Sequence, residues 1–181
     1  MKSDDDLAAL MRRYQEGDQD AFREIYVNTS PGIERYLRRW SDSARAGDLT
    51  QEVFLQVHRA RRTYRAGLPL LPWMFAIARH VAIQHVRSQG RRLPEVQSDD
   101  SSIVAIAGSA EANLLARHDL GAAMQQLSDE HREALWLTDV EGFNSSEIAR
   151  ITGVSAGTIR VRIHRARQKL KNILNDAAAQ S

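Results

Sequence analysis

A chain of 181 residues, 43% of them hydrophobic, is long enough for one ordinary domain or two small ones, and apolar enough to exclude global disorder. It contains no cysteine, which excludes disulfides, thiolate zinc sites and cysteine nucleophiles together. The acidic N-terminus lacks the apolar core of a secretory signal, and no run approaches the length of a membrane span. We therefore expect a soluble, cytoplasmic protein with no membrane insertion of its own.

The formal net charge of +2 conceals four blocks of alternating sign. Residues 1–52 carry a charge of −3, residues 53–92 carry +8, residues 93–147 carry −9 and residues 148–181 carry +6. Two basic blocks separated by an acidic one predict two contacts with nucleic acid rather than one continuous patch. Alternatively, the opposite blocks neutralise each other within the fold, and both hypotheses can hold in different states of the protein.

The first two helices are predicted from a cap and a turn. Ser3 and Asp6 form a capping-box pattern at the start of the chain, and Gly17 with Asp18 ends the first helix and begins the second. The positions expected to face the core are Leu7, Leu10, Met11 and Tyr14 in the first helix and Ala21, Phe22, Ile25 and Tyr26 in the second.

Two further helices are predicted before residue 65. Ser30 followed by Pro31 is typical of a helix start, so we expect a third helix there, followed by a loop over 41–47. Asp48 and Gln51 then form a capping-box pattern for a fourth helix. The predicted inward positions are Ile33, Tyr36, Leu37 and Trp40 in the third helix, and Leu49, Val53, Phe54 and Val57 in the fourth.

The middle of the chain changes character twice. Residues 65–71 contain Gly67 and Pro69 and are predicted to form a loop, after which Pro72 begins a helix that runs to about Gly90. Residues 93–111 contain Pro, Ser, Asp and Gly without a helical period, which indicates a flexible linker. Its IVAIA segment is open to three interpretations: a strand, a helical turn, or a segment buried only in a complex.

Helices resume from Glu111. Ser128 is the predicted cap of one of them, and no segment of the chain clearly predicts a strand. The fold class is therefore all-α, with two small helical domains over about 1–92 and 112–176 joined by the linker. The predicted inward positions of the second domain begin with Leu120, Ala123, Met124, Leu127, Ala134, Leu135 and Leu137.

The last helices have the pattern of a helix-turn-helix. Asn144 and Glu147 form a capping box, Thr152–Gly153–Val154 supplies the turn, and Ser155 caps the second helix. That helix carries one apolar stripe and cations on its other faces, with no acid between Glu147 and Asp176, which is typical of a helix that enters a major groove. The alternative is an amphipathic surface helix whose arginines are merely solvated. The stripe is Ile159, Ile163, Ala166, Leu170, Ile173 and Leu174; the cations are Arg160, Arg162, His164, Arg165, Arg167, Lys169 and Lys171.

Several ordered motifs together resemble one family. They are DLTQEVF over 48–54, WMFAIAR over 73–79, EIA over 147–149, GTIR over 157–160 and RAR over 165–167. In this set and order the chain resembles the bacterial extracytoplasmic-function (ECF) sigma factors of the sigma-70 family. The resemblance implies a sigma-2 domain over 1–92 and a sigma-4 domain over 112–176. It also implies an alternative sigma factor that binds core RNA polymerase, recognises the −35 and −10 elements of promoter DNA, and is controlled by an anti-sigma factor.

The resemblance also implies three binding surfaces. For Leu49, Val53 and Phe54 a role in the core is at least as strong a hypothesis, and Trp73 and Phe75 are expected to be core rather than stacking platforms. The residues implied to bind core polymerase are Asp48, Leu49, Gln51, Glu52 and Phe54. Those implied to bind the −10 element are Arg61, Arg62, Arg65, Arg79, His80, Gln84 and Arg87. Those implied to bind the −35 element are Ser155, Thr158, Arg160, Val161, Arg162, His164 and Arg165.

Three of these positions depart from the family pattern. His80 stands where the family often has Asn, Gln84 where it often has Asp, and Val161 where it often has Ser. His80 and Gln84 still present hydrogen-bonding edges, so the preferred −10 sequence is expected to change rather than the role. Val161 exchanges a hydrogen bond for a contact with a thymine methyl group.

Nothing in the sequence predicts catalysis. The six histidines lack the spacing of a metal site, and neither a phosphate-binding loop nor a nucleophile elbow is present, so we expect no metal, no cofactor and no small-molecule substrate. Two rival classes stay open: an ordinary repressor or activator with the same DNA-binding domain, and a protein that mimics a sigma factor and titrates a regulator.

Overall fold

The structure is a computed structural model that describes residues 3–89 and 120–179, with side chains up to residue 176. These residues form two compact units. The N-terminal unit is built from helices α1 (Asp4–Gln15), α2 (Gln19–Leu37), α3 (Ser43–Ala60) and α4 (Leu70–Ser88), with a short 3₁₀ helix (Arg61–Thr63) after α3. The C-terminal unit is built mainly from α5, described over 120–125, α6 (Asp129–Asp139), α7 (Ser145–Thr152) and α8 (Ala156–Ala179).

The N-terminal unit is a four-helix arrangement in which α4 contacts the other three helices. The apolar stripes predicted for α1 and α3 are buried, as are most of the predicted inward positions of α2. Burial of one such aliphatic or aromatic side chain contributes about 1.5–3 kcal/mol, so this core is the main source of the unit's stability. Its largest fully buried side chains are Tyr14, Tyr36, Phe75, Leu7, Met11, Ile25, Ile33, Leu37, Leu70 and Met74.

The start and end of α1 are as predicted. The Ser3 hydroxyl accepts from the Asp6 amide, and the Asp6 carboxylate accepts from the Ser3 amide, which completes the capping box. Gly17 adopts a φ of +107°, and the Asp18 carboxylate caps α2 through the amides of residues 20 and 21. Local side-chain geometry therefore determines this turn.

The helix predicted to begin at Pro31 does not exist as a separate element, because α2 continues through that residue. An internal proline costs a helix about 3 kcal/mol or more. However, Ile25 and Thr29 before it and Ile33 after it lie on one continuous buried stripe, and that burial offsets the cost. Val27, whose carbonyl loses its donor, lies on the exposed side of α2, where water can replace the lost bond.

The loop predicted over 41–47 is correct only at residues 41 and 42, and the cap predicted at Asp48 is wrong. Helix α3 begins at Ser43, because the Asp42 carboxylate accepts from the Arg45 amide at 2.8 Å. The helix includes Gly47, which costs about 1 kcal/mol relative to alanine, while the earlier start buries Ala46 in the core. Asp48 lies within the helix and not at its end.

Two smaller corrections concern α4 and Tyr26. Helix α4 begins at Leu70, two residues before the predicted start at Pro72, so the connecting loop covers residues 64–69. Tyr26, predicted to face inward, is 40% exposed, although its ring packs against Phe54 with a centroid separation of 4.6 Å.

In the C-terminal unit α6 packs against α8. Arg132 is buried there and donates hydrogen bonds to the carbonyls of residues 124, 125 and 127, at the end of α5 and in the turn that follows it. Ser128 is the N-cap residue of α6, as predicted, but its side chain makes no capping hydrogen bond. Among the predicted stripe positions of α8, the first three are buried and the last three are half-buried; the buried ones are Ile159, Ile163 and Ala166.

The predicted all-α class is confirmed, since the described ranges contain helices and turns and no strand. Two predictions lie outside the described residues. They are the linker over 93–111 with its IVAIA segment, and the part of the helix expected from Glu111 that precedes residue 120.

Candidate nucleic-acid and protein interfaces

The turn between α7 and α8 is fixed by hydrogen bonds of its own residues. The Asn144 side-chain oxygen accepts from the amides of Ser146 and Glu147 at 2.9 and 3.1 Å, and Glu147 accepts from the Asn144 amide at 2.8 Å. Gly153 adopts a φ of +77°, a conformation that residues with a Cβ rarely tolerate. The predicted capping box and glycine turn are therefore confirmed.

Helix α8 is capped by Ser155. Its hydroxyl accepts from the Thr158 amide at 3.1 Å and lies 2.9 Å from the Thr158 hydroxyl. Both side chains remain exposed at the start of the helix. They are therefore placed where a helix N-terminus presents polar groups and its positive dipole to a phosphate.

The side of α8 opposite its buried stripe is exposed and basic. Arg160, His164 and Arg165 are exposed there, and Val161 is 48% exposed between them. Arg160 and Arg165 form no salt bridge with any residue that the structure describes. This face therefore offers two unpaired guanidinium groups and one apolar contact at helical spacing, which suits phosphates, base edges and a thymine methyl group.

The flanks of α8 are used differently. The Arg162 side chain is only 20% exposed, and its Nη2 lies 2.7 Å from Glu130 Oε2 on α6. Arg167 Nη2 donates to Asp139 Oδ1 at 2.6 Å, and Lys169 Nζ donates to the carbonyl of residue 126 at 2.7 Å. These three cations tie α8 to the segments before it.

The two ion pairs also bear on the charge blocks. Glu130 and Asp139 belong to the acidic block over 93–147, whereas Arg162 and Arg167 belong to the basic block over 148–181. The opposite blocks therefore neutralise each other at two points within the C-terminal unit. Among the residues that the structure describes, Arg160 and Arg165 take no part in this neutralisation.

In the N-terminal unit, the exposed face of α4 carries His80, Gln84 and Arg87, spaced by four and three residues. Gln84 Nε2 donates to His80 Nε2 at 2.8 Å, so the two side chains present one combined polar edge. Arg79 is half-buried. Phe75 is buried in the core as expected, and Trp73 is half-buried, with its ring edge-on to Tyr64 at 5.4 Å between centroids.

The segment before α4 contributes three more arginines. Arg62 and Arg65 are exposed, whereas Arg61 is half-buried, donates to the carbonyl of His58 at 2.7 Å and lies 5.8 Å from the centre of the Tyr14 ring. Residues 53–92 contain no acid at all, so no carboxylate of this stretch offsets their charge. The surface formed by the loop and α4 is therefore basic and carries hydrogen-bonding side chains.

Sequence reasoning missed the residues that hold this loop. The Asp4 carboxylate accepts from the amides of Leu70 and Leu71 at 3.0 and 2.9 Å. Gln15 Nε2 donates to the carbonyls of residues 61 and 64 at 2.7 and 3.0 Å. The Tyr64 hydroxyl donates to the carbonyl of residue 68, and burial, with a smaller contribution from Asp4, raises the pKa of that hydroxyl. No local signal indicates contacts between residues so far apart in the chain.

The α3 surface separates the residues implied to bind polymerase into two groups. Leu49 and Phe54 are 8% and 4% exposed, so their side chains belong to the core, which is the alternative that the sequence left open. Asp48 and Gln51 are exposed, and Glu52 is half-buried. A surface contact through α3 can therefore use the three polar residues but not the two apolar ones.

Two exposed apolar side chains accompany them, and sequence reasoning missed both. Leu55 is 42% exposed one turn after Gln51 on α3, and the exposed Tyr26 leans on Phe54 from α2. Leu55 is an apolar residue that lies outside the predicted inward stripe of α3. An apolar residue at such a position indicates an exposed contact surface, and this was the signal available in the sequence.

A metal centre and a membrane span are not found in the described parts of the chain. No group of three or more His, Asp or Glu side chains there could hold a metal ion. None of the helices there is both long and apolar enough to cross a bilayer.

Comparison with known proteins identifies the family. The profile of sigma-70 region 2 matches residues 25–92, and that of sigma-70 region 4 matches residues 117–170. The RNA polymerase sigma factor CarQ of Myxococcus xanthus is 35% identical over 167 residues, which cover 92% of this chain and 96% of CarQ. The ECF RNA polymerase sigma-E factor of Escherichia coli K12 is 29% identical over 174 residues, 90% of this chain and 91% of that protein.

Solved structures agree with this assignment. The sigma factor RpoE from Bartonella quintana, in complex with the anti-sigma factor NepR, has a TM-score of 0.64 at 29% identity, covering 85% of this chain and 96% of RpoE. CnrH, in complex with the cytosolic domain of CnrY, has a TM-score of 0.70 at 22% identity, covering 93% and 97%, and supports the fold alone. The chain therefore belongs to the ECF sigma factors of the sigma-70 family.

Proposed function

We propose that this chain is an alternative sigma factor that binds core RNA polymerase and directs it to promoters by recognising −35 and −10 elements. The observation that carries this proposal is the pairing, in one chain, of two matched sigma-70 regions with two exposed basic helix surfaces, one in each unit. An ordinary repressor needs only one such surface.

The proposed division of labour follows the chain. Residues 1–92 form the sigma-2 domain, residues 93–111 form the linker, and residues 112–176 form the sigma-4 domain. The −10 element is bound through the loop 64–69 and the exposed face of α4, where arginines hold phosphates and the polar edge of His80 and Gln84 faces the bases. The −10 set is Arg61, Arg62, Arg65, Arg79, His80, Gln84 and Arg87.

The −35 element is bound by α8 in the major groove. Arg160, Val161, His164 and Arg165 face the bases and phosphates, because they occupy the exposed side opposite the buried stripe. Ser155 and Thr158 at the helix N-terminus face a phosphate. Arg162 orients the helix through Glu130.

Core polymerase is bound through the exposed side of α3. Asp48, Gln51 and Glu52 supply polar contacts, and Leu55 and Tyr26 supply apolar contact area beside them. Leu49 and Phe54 contribute indirectly, because their buried side chains hold α3 against the core. We place this activity in the cytoplasm, where polymerase and DNA are found, and under the control of an anti-sigma factor, as for the RpoE relative solved with NepR.

The chain acts by binding and not as an enzyme. The free energy for separating the promoter strands comes from binding the exposed strand, whose bases stack or pair with protein groups once they are unstacked. No cofactor or small-molecule substrate takes part.

The test is run-off transcription by core polymerase plus the chain on genomic promoter fragments, with gel shifts with and without core polymerase. The expected result is a specific transcript that requires both components. Equal DNA affinity with and without core polymerase, and no transcript, would instead favour an ordinary repressor. Binding to a regulator that does not depend on Arg160 and Arg165 would favour a mimic.

A further inference from the structure

Helix α1 holds both ends of the loop 64–69. Its first turn contributes Asp4, whose two carboxylate oxygens accept from the first two amides of α4. Its last turn contributes Gln15, whose amide nitrogen donates to the carbonyl of Arg61, before the loop, and to that of Tyr64, its first residue. The two side chains are separated by about 16 Å along the helix at 1.5 Å per residue. Helix α1 therefore contacts the backbone at both ends of the loop.

Between these anchors one backbone hydrogen bond, from the Leu68 amide to the Arg65 carbonyl at 3.3 Å, crosses the loop. Residues 65–68 are all exposed, and Gly67 takes a φ of +87°, which permits the turn but does not enforce it. The bond from the Tyr64 hydroxyl to the carbonyl of Leu68 closes the loop from inside. A loop held in one conformation before it binds loses less conformational entropy on binding.

Asp4 also replaces a missing helix cap. The N-cap residue of α4 is Pro69, which has no side-chain acceptor, so the first amides of α4 depend on a group from elsewhere. The carboxylate of Asp4 accepts hydrogen bonds from two of these amides, and its negative charge interacts favourably with the positive end of the helix dipole. The start of α4 at Leu70, earlier than its sequence predicts, follows from this contact.

These two contacts are separate from the packing of α1. The buried stripe of α1, which includes Leu7, Leu10 and Met11, anchors the helix in the core, whereas Asp4 and Gln15 bond to backbone atoms of residues 61–71. The match to sigma-70 region 2 begins only at residue 25, so α1 lies before it.

We propose that α1 sets the conformation of the loop 64–69, and that Asp4 and Gln15 are positioning residues for recognition of the −10 element. This inference rests on the proposed function, because it assigns the loop to the −10 element. Neither side chain needs to touch DNA. Their effect is transmitted through the ends of the loop and the first turn of α4.

The test compares Asp4→Ala and Gln15→Leu with matched controls in the full chain. Asp5→Ala is the control for Asp4→Ala, because it removes the same charge from the neighbouring residue, whose side chain is exposed. Gln19→Leu is the control for Gln15→Leu, because it makes the same change at an exposed position of α2. Each variant is assembled with core polymerase and assayed for the rate of open-complex formation on a promoter library randomised at the −10 element. Amide hydrogen exchange at Leu70 and Leu71 and affinity for core polymerase are measured in parallel.

The expected result is that Asp4→Ala raises exchange at Leu70 and Leu71, whereas Asp5→Ala does not. Asp4→Ala and Gln15→Leu each slow open-complex formation on the preferred promoter about tenfold, the factor that corresponds to about 1.4 kcal/mol. Both variants also reduce the differences in this rate among promoters with different −10 sequences. Affinity for core polymerase stays unchanged. Asp4→Asn, which retains one oxygen acceptor, restores part of the rate.

Three outcomes would overturn the inference. The first is wild-type rates and −10 ranking in both variants despite faster exchange at the start of α4. The second is an equal decrease in the rate of open-complex formation on every −10 sequence, together with weaker binding to core polymerase. That result would mean that Asp4 and Gln15 only stabilise the fold. The third is a wild-type chain whose transcription ignores the −10 sequence, and only this outcome also removes the proposed function.

Discussion

Arg162 is expected to differ from Arg160 and Arg165 in how its loss affects DNA binding. Arg165→Ala or Arg160→Ala removes an exposed cation from the face of α8 opposite the core. If such a side chain contacts a phosphate, the slope of log affinity against log salt falls by about one unit; if it contacts a base, binding weakens by about 1–3 kcal/mol and specificity relaxes at one position. Arg162→Ala should leave the salt slope unchanged, because the guanidinium of Arg162 is already paired with Glu130.

The size of the Arg162 effect follows from the exposure of the pair. The Arg162 side chain is 20% exposed, but that of Glu130 is 65% exposed, so solvent screens the attraction and the pair contributes at most about 1 kcal/mol. Arg162→Ala and Glu130→Gln should each lower stability by about that amount or less, and the double variant should be little worse than either single one. Thermal unfolding of the four proteins measures this coupling.

The decisive assay is fluorescence anisotropy of a −35 promoter duplex titrated with holoenzyme at several salt concentrations. A salt slope that falls by one unit in Arg162→Ala, together with tighter binding in Glu130→Gln, would refute the reasoning. That pattern would mean that Arg162 leaves Glu130 for a phosphate when DNA binds.

Three further predictions test other parts of the chain. His80→Asn and Gln84→Asp should reorder the preference among −10 sequences in a transcription library without lowering the melting temperature, because both side chains are exposed; a uniform loss with lowered stability would assign them to the core. Leu55→Lys should weaken core-polymerase binding by about 1–2 kcal/mol in a competition assay while the fold is retained, because Leu55 is an exposed apolar side chain; unchanged affinity would exclude it from the interface. Arg132→Met should destabilise the C-terminal unit by about 3–5 kcal/mol, measured by amide exchange in α6, because the buried side chain loses its hydrogen bonds to the carbonyls of residues 124, 125 and 127; a loss under about 1 kcal/mol would show that water replaces them.

The features that the sequence predicted correctly are those with a local cause. The capping boxes at Ser3 and Asn144 and the turn at Gly153 each depend on residues within three or four positions of one another. The buried stripes of α1 and α3 follow from the 3.6-residue period alone. The family resemblance is confirmed for the same reason, since its motifs are short ordered runs that can be recognised without a structure.

The helix boundaries that failed did so where tertiary burial opposed a local signal. Pro31 and Asp48 are both favourable helix starts, yet α2 and α3 continue past them, because Ile33 and Ala46 are buried on stripes that begin earlier. A local propensity of about 1–3 kcal/mol is outweighed when a continuous helix buries one or two more side chains.

What the sequence alone determined about this protein is its class, most of its helices and many of the residues from which its proposed binding surfaces are drawn. Only the tertiary structure decided which side chains face outward: Arg160 and Arg165 are exposed, Arg162 is held by Glu130, and Leu49 is buried, whereas Leu55, which the sequence did not indicate, is exposed. It also decided that Asp4 caps α4, a contact across 66 residues of chain. Such contacts depend on how the helices pack, and packing brings together residues whose separation along the chain leaves no periodic or local trace.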